Sequence, residues 1–179
     1  MSKRIDELLL LARFFEEPRA WHLREIARAT GMNPSTASKY LEGYVKEGLL
    51  TKRRERGNVL YEPDTQNHDF LFEKRIFNLR RIRKSGLLKT LDEQLAYPTV
   101  ILFGSWAKGE NHEQSDLDLF VIADEKRAPD LTRYEKKLGA EIELFLHTPE
   151  KFRELRKHNK ELANNVMNGI ILSGYVEAY

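Results

Sequence analysis

Apolar residues recur through the first fifty positions at the three-and-four spacing of amphipathic helices. In RIDELLLLARFFEEP, the positions Ile5, Leu8, Leu9, Ala12 and Phe15 share one face, and Pro18 ends the helix near Glu17. HLREIARATG repeats the rhythm at Leu23, Ile26, Ala27 and Thr30, with Gly31 as its stop. A third helix takes Asn33 as N-cap and Pro34 at its first position, and runs to Gly48 with Ala37, Leu41, Tyr44 and Val45 inward. The period then changes: LLTKRRERGNVLYEP reads as strand, basic turn at Gly57-Asn58, strand. Two short helices across a glycine turn, followed by such a hairpin, predict a winged helix-turn-helix over residues 1–65.

Helical rhythm returns over residues 66–97, at Phe70, Leu71, Ile76, Phe77, Leu79, Ile82 and Leu87, and breaks at Ser85-Gly86. This predicts a helical connector. After Pro98, TVILFG is a continuous apolar strand suited to the middle of a sheet. SDLDLFVI alternates, with Asp116, Asp118 and Phe120 on one face and Leu117, Leu119 and Val121 on the other. AEIELFLH alternates likewise, Glu141 and Glu143 against Ile142, Leu144 and Leu146. TPEKF opens a helix, a second follows through Leu162, Val166 and Met167, and a short strand after Gly169 finishes the sheet. The fold class is therefore α+β, with a third segment, residues 98–179, built on a mixed sheet.

Composition narrows the chemistry. With no cysteine, disulfides, thiolate metal sites and thiol nucleophiles are all excluded, and the chain reads as intracellular and cytoplasmic. Asp6, Glu7 and Arg13 interrupt the first apolar run and no long uncharged stretch follows, so neither a signal segment nor a membrane span is expected. Net charge is +2 over 1–65, +3 over 66–98 and −3 over 99–179. The first part suits a polyanion and the last suits cations.

The outward face of the third helix offers Ser35, Thr36, Ser38 and Lys39 to phosphates and base edges, while Lys52, Arg53, Arg54 and Arg56 cluster on the hairpin. Double-stranded DNA is the expected partner, and a two-fold homodimer the expected form. A protein-binding winged helix is the alternative. Arg80, Arg81, Arg83 and Lys84 could reach a nucleic-acid backbone, but as a charge run on a helix they read first as a solvated face. In LREIARATGMNPSTASKYLEGYVKEGLLTKRR the chain resembles the winged helix-turn-helix regulators of the MarR and ArsR kind.

The stretch VILFGSWAKGENHEQSDLDLFVI carries the sharper signal. Gly104 allows a tight turn and Ser105 presents an N–H and a hydroxyl at the strand end, forming an anion-binding concavity to which Lys108 adds a mobile positive charge. Carboxylates at i and i+2 of a strand stand side by side and repel unless a cation lies between them. A hard divalent ion such as Mg²⁺ meets that need and leaves places for substrate phosphates. The five histidines are scattered without ligand spacing, so no zinc site is expected.

GSWAKG followed by SDLDLFV resembles the nucleotidyltransferase domain of the DNA polymerase β superfamily, particularly its minimal members. The resemblance implies that Gly104 and Ser105 hold nucleotide phosphates and that Asp116 and Asp118 bind two Mg²⁺ ions. It also implies a third carboxylate on a neighbouring strand, completing the second ion site and helping to deprotonate an attacking hydroxyl. Counting back from TPEKF favours Glu143 over Glu141, although the family more often carries Asp there. The implied substrate is an NTP, ATP first. The implied acceptors are a protein side chain, as in toxin–antitoxin pairs, or a small molecule. The competing function is a transcription regulator whose second domain senses nucleotide without turnover.

Overall fold

The computed structural model describes residues 3–124 and 127–176, without the side chains of residues 3–8 and 156. The chain divides into two compact units, Met1–Lys74 and Arg75–Tyr179.

The first unit runs α1 (Lys3–Glu16), β1 (Trp21–His22), α2 (Leu23–Thr30), α3 (Pro34–Lys46), β2 (Leu50–Glu55), β3 (Asn58–Pro63) and the opening turns of α4 (His68–Ser85). Its helices end where local chemistry dictates. Glu25 reaches back to the N–H of His22 at the start of α2, Gly31 closes α2 at φ +67°, and Asn33 accepts from the N–H of Ser35 at 3.0 Å. Ala37, Leu41 and Tyr44 are buried from α3, as its periodicity requires, with Val45 half-buried.

Three local features depart from the sequence reading. The inner face of α1 is Leu10, Leu11, Phe14 and Phe15, and Leu9 is 49% exposed. LLLLARFF supports more than one helical phase, and this one buries both phenylalanine rings, Phe15 lying 5.2 Å from the ring of Phe70. Ile5 and Leu8 fall outside the described side chains. The hairpin pairs Glu55 with Asn58, so its turn residues are Arg56 and Gly57, at φ 48° and 82°, and not Gly57-Asn58. Positive φ at both central positions is the turn whose twist matches a two-residue hairpin. Finally, Trp21 and His22 add a third strand in the order β1-β3-β2. Two residues are too few to show a period.

The second unit continues with the rest of α4, then α5 (Leu87–Gln94), β4 (Thr99–Leu102), α6 (Gly104–Lys108), β5 (Leu117–Ile122), α7 (Thr132–Leu138), β6 (Ile142–His147), α8 (Pro149–His158), α9 (Lys160–Met167) and β7 (Ile170–Ser173). The sheet order is β6-β5-β4-β7, with β5 and β6 parallel and the other pairs antiparallel. A parallel pair needs a crossover, and α7 supplies it. The apolar pattern does not mark this helix, since only Tyr134 and Leu138 of it are buried.

Both faces of the sheet are covered. Ile82, Leu87 and Leu91 pack on Val100, Leu102, Leu117, Leu119 and Val121 on one side. Phe152 and Val166 pack on Ile101, Phe103 and Phe120 on the other. Residues that read as a connector thus form a core layer, each buried leucine contributing about 1.5–3 kcal/mol. Among the described residues no helix is long and apolar enough to cross a membrane.

Candidate active site

The end of β4 and the start of β5 close upon each other. The N–H of Phe103 donates to the carbonyl of Asp118 at 3.2 Å, and Gly104 follows at φ +67°. A Cβ on Gly104 would lie 2.0 Å from Oδ2 of Asp118 and 2.9 Å from its Cγ, so the glycine admits the carboxylate to this turn. Ser105 is half-buried in α6, and Lys108 is exposed on its last turn. Trp106 anchors the helix. Its ring is buried, its indole N–H donates to the carbonyl of Ser115 at 3.4 Å, and the guanidinium of Arg81 sits 5.4 Å from the ring centre. Arg81 also donates to the carbonyl of Leu138, so within the basic run it is structural, while Arg80, Arg83 and Lys84 are exposed.

Register decides which glutamate joins the aspartates. Leu117 pairs with Ile142 and Asp118 with Glu143, and in a parallel pair residues in register point to the same face. Asp118 is half-buried on the face of Phe120, and both Glu143 and Asp116 act on it. Burial first, then the negative charges of Glu143 and Asp116 and a hydrogen bond with Glu143, push the Asp118 carboxyl up to about 6. Glu141 does not share in this. Its carbonyl accepts from the N–H of Leu117 at 2.8 Å, and its side chain lines a groove of about 560 Å³ with Asp116, Glu113, Glu135 and Lys136.

Asp118 and Glu143 on one sheet face, with Asp116 just before β5, form an all-oxygen donor set whose excess negative charge a proton or a hard cation offsets, which fits a divalent ion in kind. Among the described residues, however, no three such groups already converge on a point that could hold a metal ion. A larger cavity of about 740 Å³ lies at the far end of β4 and β5, against Thr99, Ile122 and Phe152. Volume is a poor guide here, because the forced proximity of charges is at the other end of these strands.

In the first unit, Ser35, Thr36 and Lys39 are exposed on α3, as the sequence suggested. Ser38 instead hydrogen-bonds Tyr61, whose hydroxyl donates to Glu42 at 2.9 Å. Lys52 pairs with Glu42 at 2.6 Å, and Arg53 with Glu55 at 2.8 Å and Glu62 at 3.2 Å. Arg54 and Arg56 are exposed, with no ion pair among the described residues. Such exposed pairs are weak, so a phosphate can compete for Lys52 and Arg53.

The fold and site together define a nucleotidyltransferase-type α/β unit preceded by a helix-turn-helix. The family model for the polymerase beta nucleotidyltransferase domain matches residues 86–175, half of the chain, and that for the IclR helix-turn-helix domain matches residues 8–54. The chain belongs to the polymerase beta nucleotidyltransferase family. The second match places a helix-turn-helix in the first part of the chain, where the winged helix-turn-helix resemblance is read from the sequence. A Methanocaldococcus jannaschii protein named as a candidate protein adenylyltransferase is 35% identical over 72 residues, covering 34% of this chain and 72% of that one. Two crystal structures are similar at a lower level. The DNA-binding protein Sso10a-2 from Sulfolobus solfataricus is 18% identical, with 49% of this chain and 94% of that chain covered and a TM-score of 0.36. A candidate IclR transcriptional regulator from Silicibacter sp. is 19% identical, with 66% and 42% covered and a TM-score of 0.30. Neither superposition is close enough to carry a functional argument.

Proposed function

We propose that the protein transfers a nucleoside monophosphate, AMP first, from an NTP to a hydroxyl acceptor, and that its winged helix binds double-stranded DNA. The observation carrying the first part is the gathering of Asp118, Asp116 and Glu143 beside the Gly104 turn. In the reaction the acceptor oxygen bonds to the α-phosphorus, the α–β bridging bond breaks, pyrophosphate leaves, and the hydroxyl proton passes to a carboxylate. Gly104 and Ser105 orient the phosphates, with Lys108 at the mobile tail. Asp118, whose carboxyl is pushed up to about 6 by burial and by the charges of Glu143 and Asp116, is suited to receive the hydroxyl proton. Asp116, Asp118 and Glu143 would hold Mg²⁺, which supplies charge neutralisation at the attacking and leaving oxygens. The relative named for protein adenylyltransferase favours ATP and a protein side chain as acceptor. Incubation with Mg²⁺, radiolabelled ATP and cell extract should transfer label to a protein band and release pyrophosphate. A full NTP and acceptor screen without pyrophosphate would leave the nucleotide-sensing regulator.

A pH dependence follows from Asp118. Its carboxyl is raised in the fold, so its proton stabilises the folded state at low pH, and that stabilisation is lost as pH rises from about 4 through about 6. A cation must displace this proton. Mg²⁺ is expected to raise the melting temperature at about pH 7.5 and to have little effect at about pH 5, while Asp118→Asn should remove the difference. Differential scanning fluorimetry checks this, and an equal Mg²⁺ effect at both pH values would argue against ion binding at Asp118.

For the DNA face, Arg54→Glu with Arg56→Glu should weaken duplex binding by about tenfold or more and flatten its salt dependence. Fluorescence anisotropy over a salt series measures both. An unchanged slope would remove the wing from the interface.

A further inference from the structure

Asn78 lies in the middle of α4 and is 1% exposed, yet it is polar and far in sequence from the carboxylates. Its amide nitrogen donates to the carbonyl of Trp106 at 3.1 Å and to Oδ1 of Asn111 at 2.8 Å, while its own Oδ1 has no hydrogen-bond partner. Burying an amide with an unsatisfied oxygen costs about 1–3 kcal/mol, which an apolar residue would avoid. Packing alone does not account for it. Both acceptors belong to the nucleotide-site segment. The Trp106 carbonyl is in α6, which begins at Gly104, and Asn111 opens the loop that delivers Asp116.

That loop is held at both ends. At its start, Asn111 is buried and tied to Asn78. At its end, the carbonyl of Ser115 accepts from the Trp106 indole, and the Ser115 hydroxyl accepts from the N–H of His112 at 2.9 Å. Asp116 is the next residue. It lies just before β5, so its direction depends on the loop rather than on sheet pairing.

We infer that Asn78 is a positioning residue: by clamping Trp106 and Asn111 together it fixes the loop that aims Asp116 at the substrate. This rests on the nucleotidyltransferase reading for its catalytic consequence, but the clamp can be read without turnover. Catalysis is sensitive to displacements of about 1 Å, at a cost near 10²-fold, so the effect falls on kcat. Gly104 and Ser105 stay attached to β4, so KM for the nucleotide is little changed.

Three variants of the full-length protein test it. Asn78→Leu fills a similar volume without a donor. Asn111→Ala removes the bond from the loop side and leaves α4 intact. The third combines them. Each single variant is expected to lower kcat about 10- to 100-fold with KM for ATP within about threefold. The double variant should be no worse than the poorer single one, because both remove one clamp. Amide hydrogen exchange at Ser115 and Asp116 should quicken in all three, while exchange in β4 and β5 is unchanged. Wild-type kcat in Asn111→Ala, additive losses in the double variant, or unaltered exchange at Ser115 and Asp116 would each overturn the inference. If the wild-type protein transfers nothing, the enzymatic reading fails. The exchange measurement then decides the clamp by itself.

Discussion

Replacing Asp116 and Asp118 together by alanine should reduce pyrophosphate release by at least about 10³-fold while leaving the fold intact. The expected size follows from the several kcal/mol that charge stabilisation contributes to phosphoryl-type transfer. The direction of the stability change separates this from simple unfolding. Asp118 is half-buried among like charges, and its raised carboxyl pKa means that its ionised form is disfavoured in the fold. Its removal should therefore leave the melting temperature at neutral pH unchanged or higher. A variant that is more stable and inactive is the mark of a functional charge held against the interest of the fold. Glu143→Gln should lower transfer by about 10²-fold or more, and Glu141→Gln by less than about threefold, since register puts only Glu143 beside Asp118. Activity surviving in the double alanine variant would dismiss these carboxylates as the reaction centre.

Gly104→Ala has the next largest expected effect, and it acts through geometry alone. The left-handed φ of +67° costs a non-glycine residue about 1–2 kcal/mol. The added Cβ would also fall 2.0 Å from Oδ2 of Asp118. The backbone at the end of β4 is bonded to Asp118 through Phe103, so the short side chain must rotate away. Transfer should drop by about 10²-fold or more with circular dichroism unchanged. Gly31→Ala serves as the control, since Gly31 has a similar φ but nothing within 4 Å of an added Cβ. It should show the conformational cost without the loss of transfer. Equal activity in the two variants would mean that the Gly104–Asp118 contact has no role.

Much of this site is legible in the chain because a strand has a period of two. Alternation in SDLDLFVI and AEIELFLH suffices to put Asp118 and Glu143 on one face, and the core contacts of Leu117, Leu119, Ile142 and Leu144 show why that face cannot slip, while Asp116 falls just before β5 and takes its direction from the loop. The choice between Glu141 and Glu143 turns on pairing register, which depends on how α7 carries the chain across, and no local pattern encodes that length. Other features are hidden for different reasons. The phase of α1 is ambiguous because four leucines in a row satisfy more than one stripe. Ser38 looks outward by helical spacing alone, and only the pairing of β3 with β2 brings Tyr61 to it. Asn78 looks like one more polar residue on a charged helix. Its acceptors, Trp106 and Asn111, are 28 and 33 residues away.

The parallel pairing of β5 with β6 has a consequence for the order in which the molecule is made. Leu102 meets Leu119 across a modest loop, so the turn at Gly104 and the two aspartates can come together early in folding. Glu143 lies beyond α7 in the chain, and its pairing with Asp118 closes a longer loop than that of Leu102 with Leu119, so by loop length it is expected to form later. A chain still emerging from the ribosome would carry the phosphate turn and two carboxylates while lacking the third. The candidate site is thus assembled in two stages along the chain, the aspartates before Glu143.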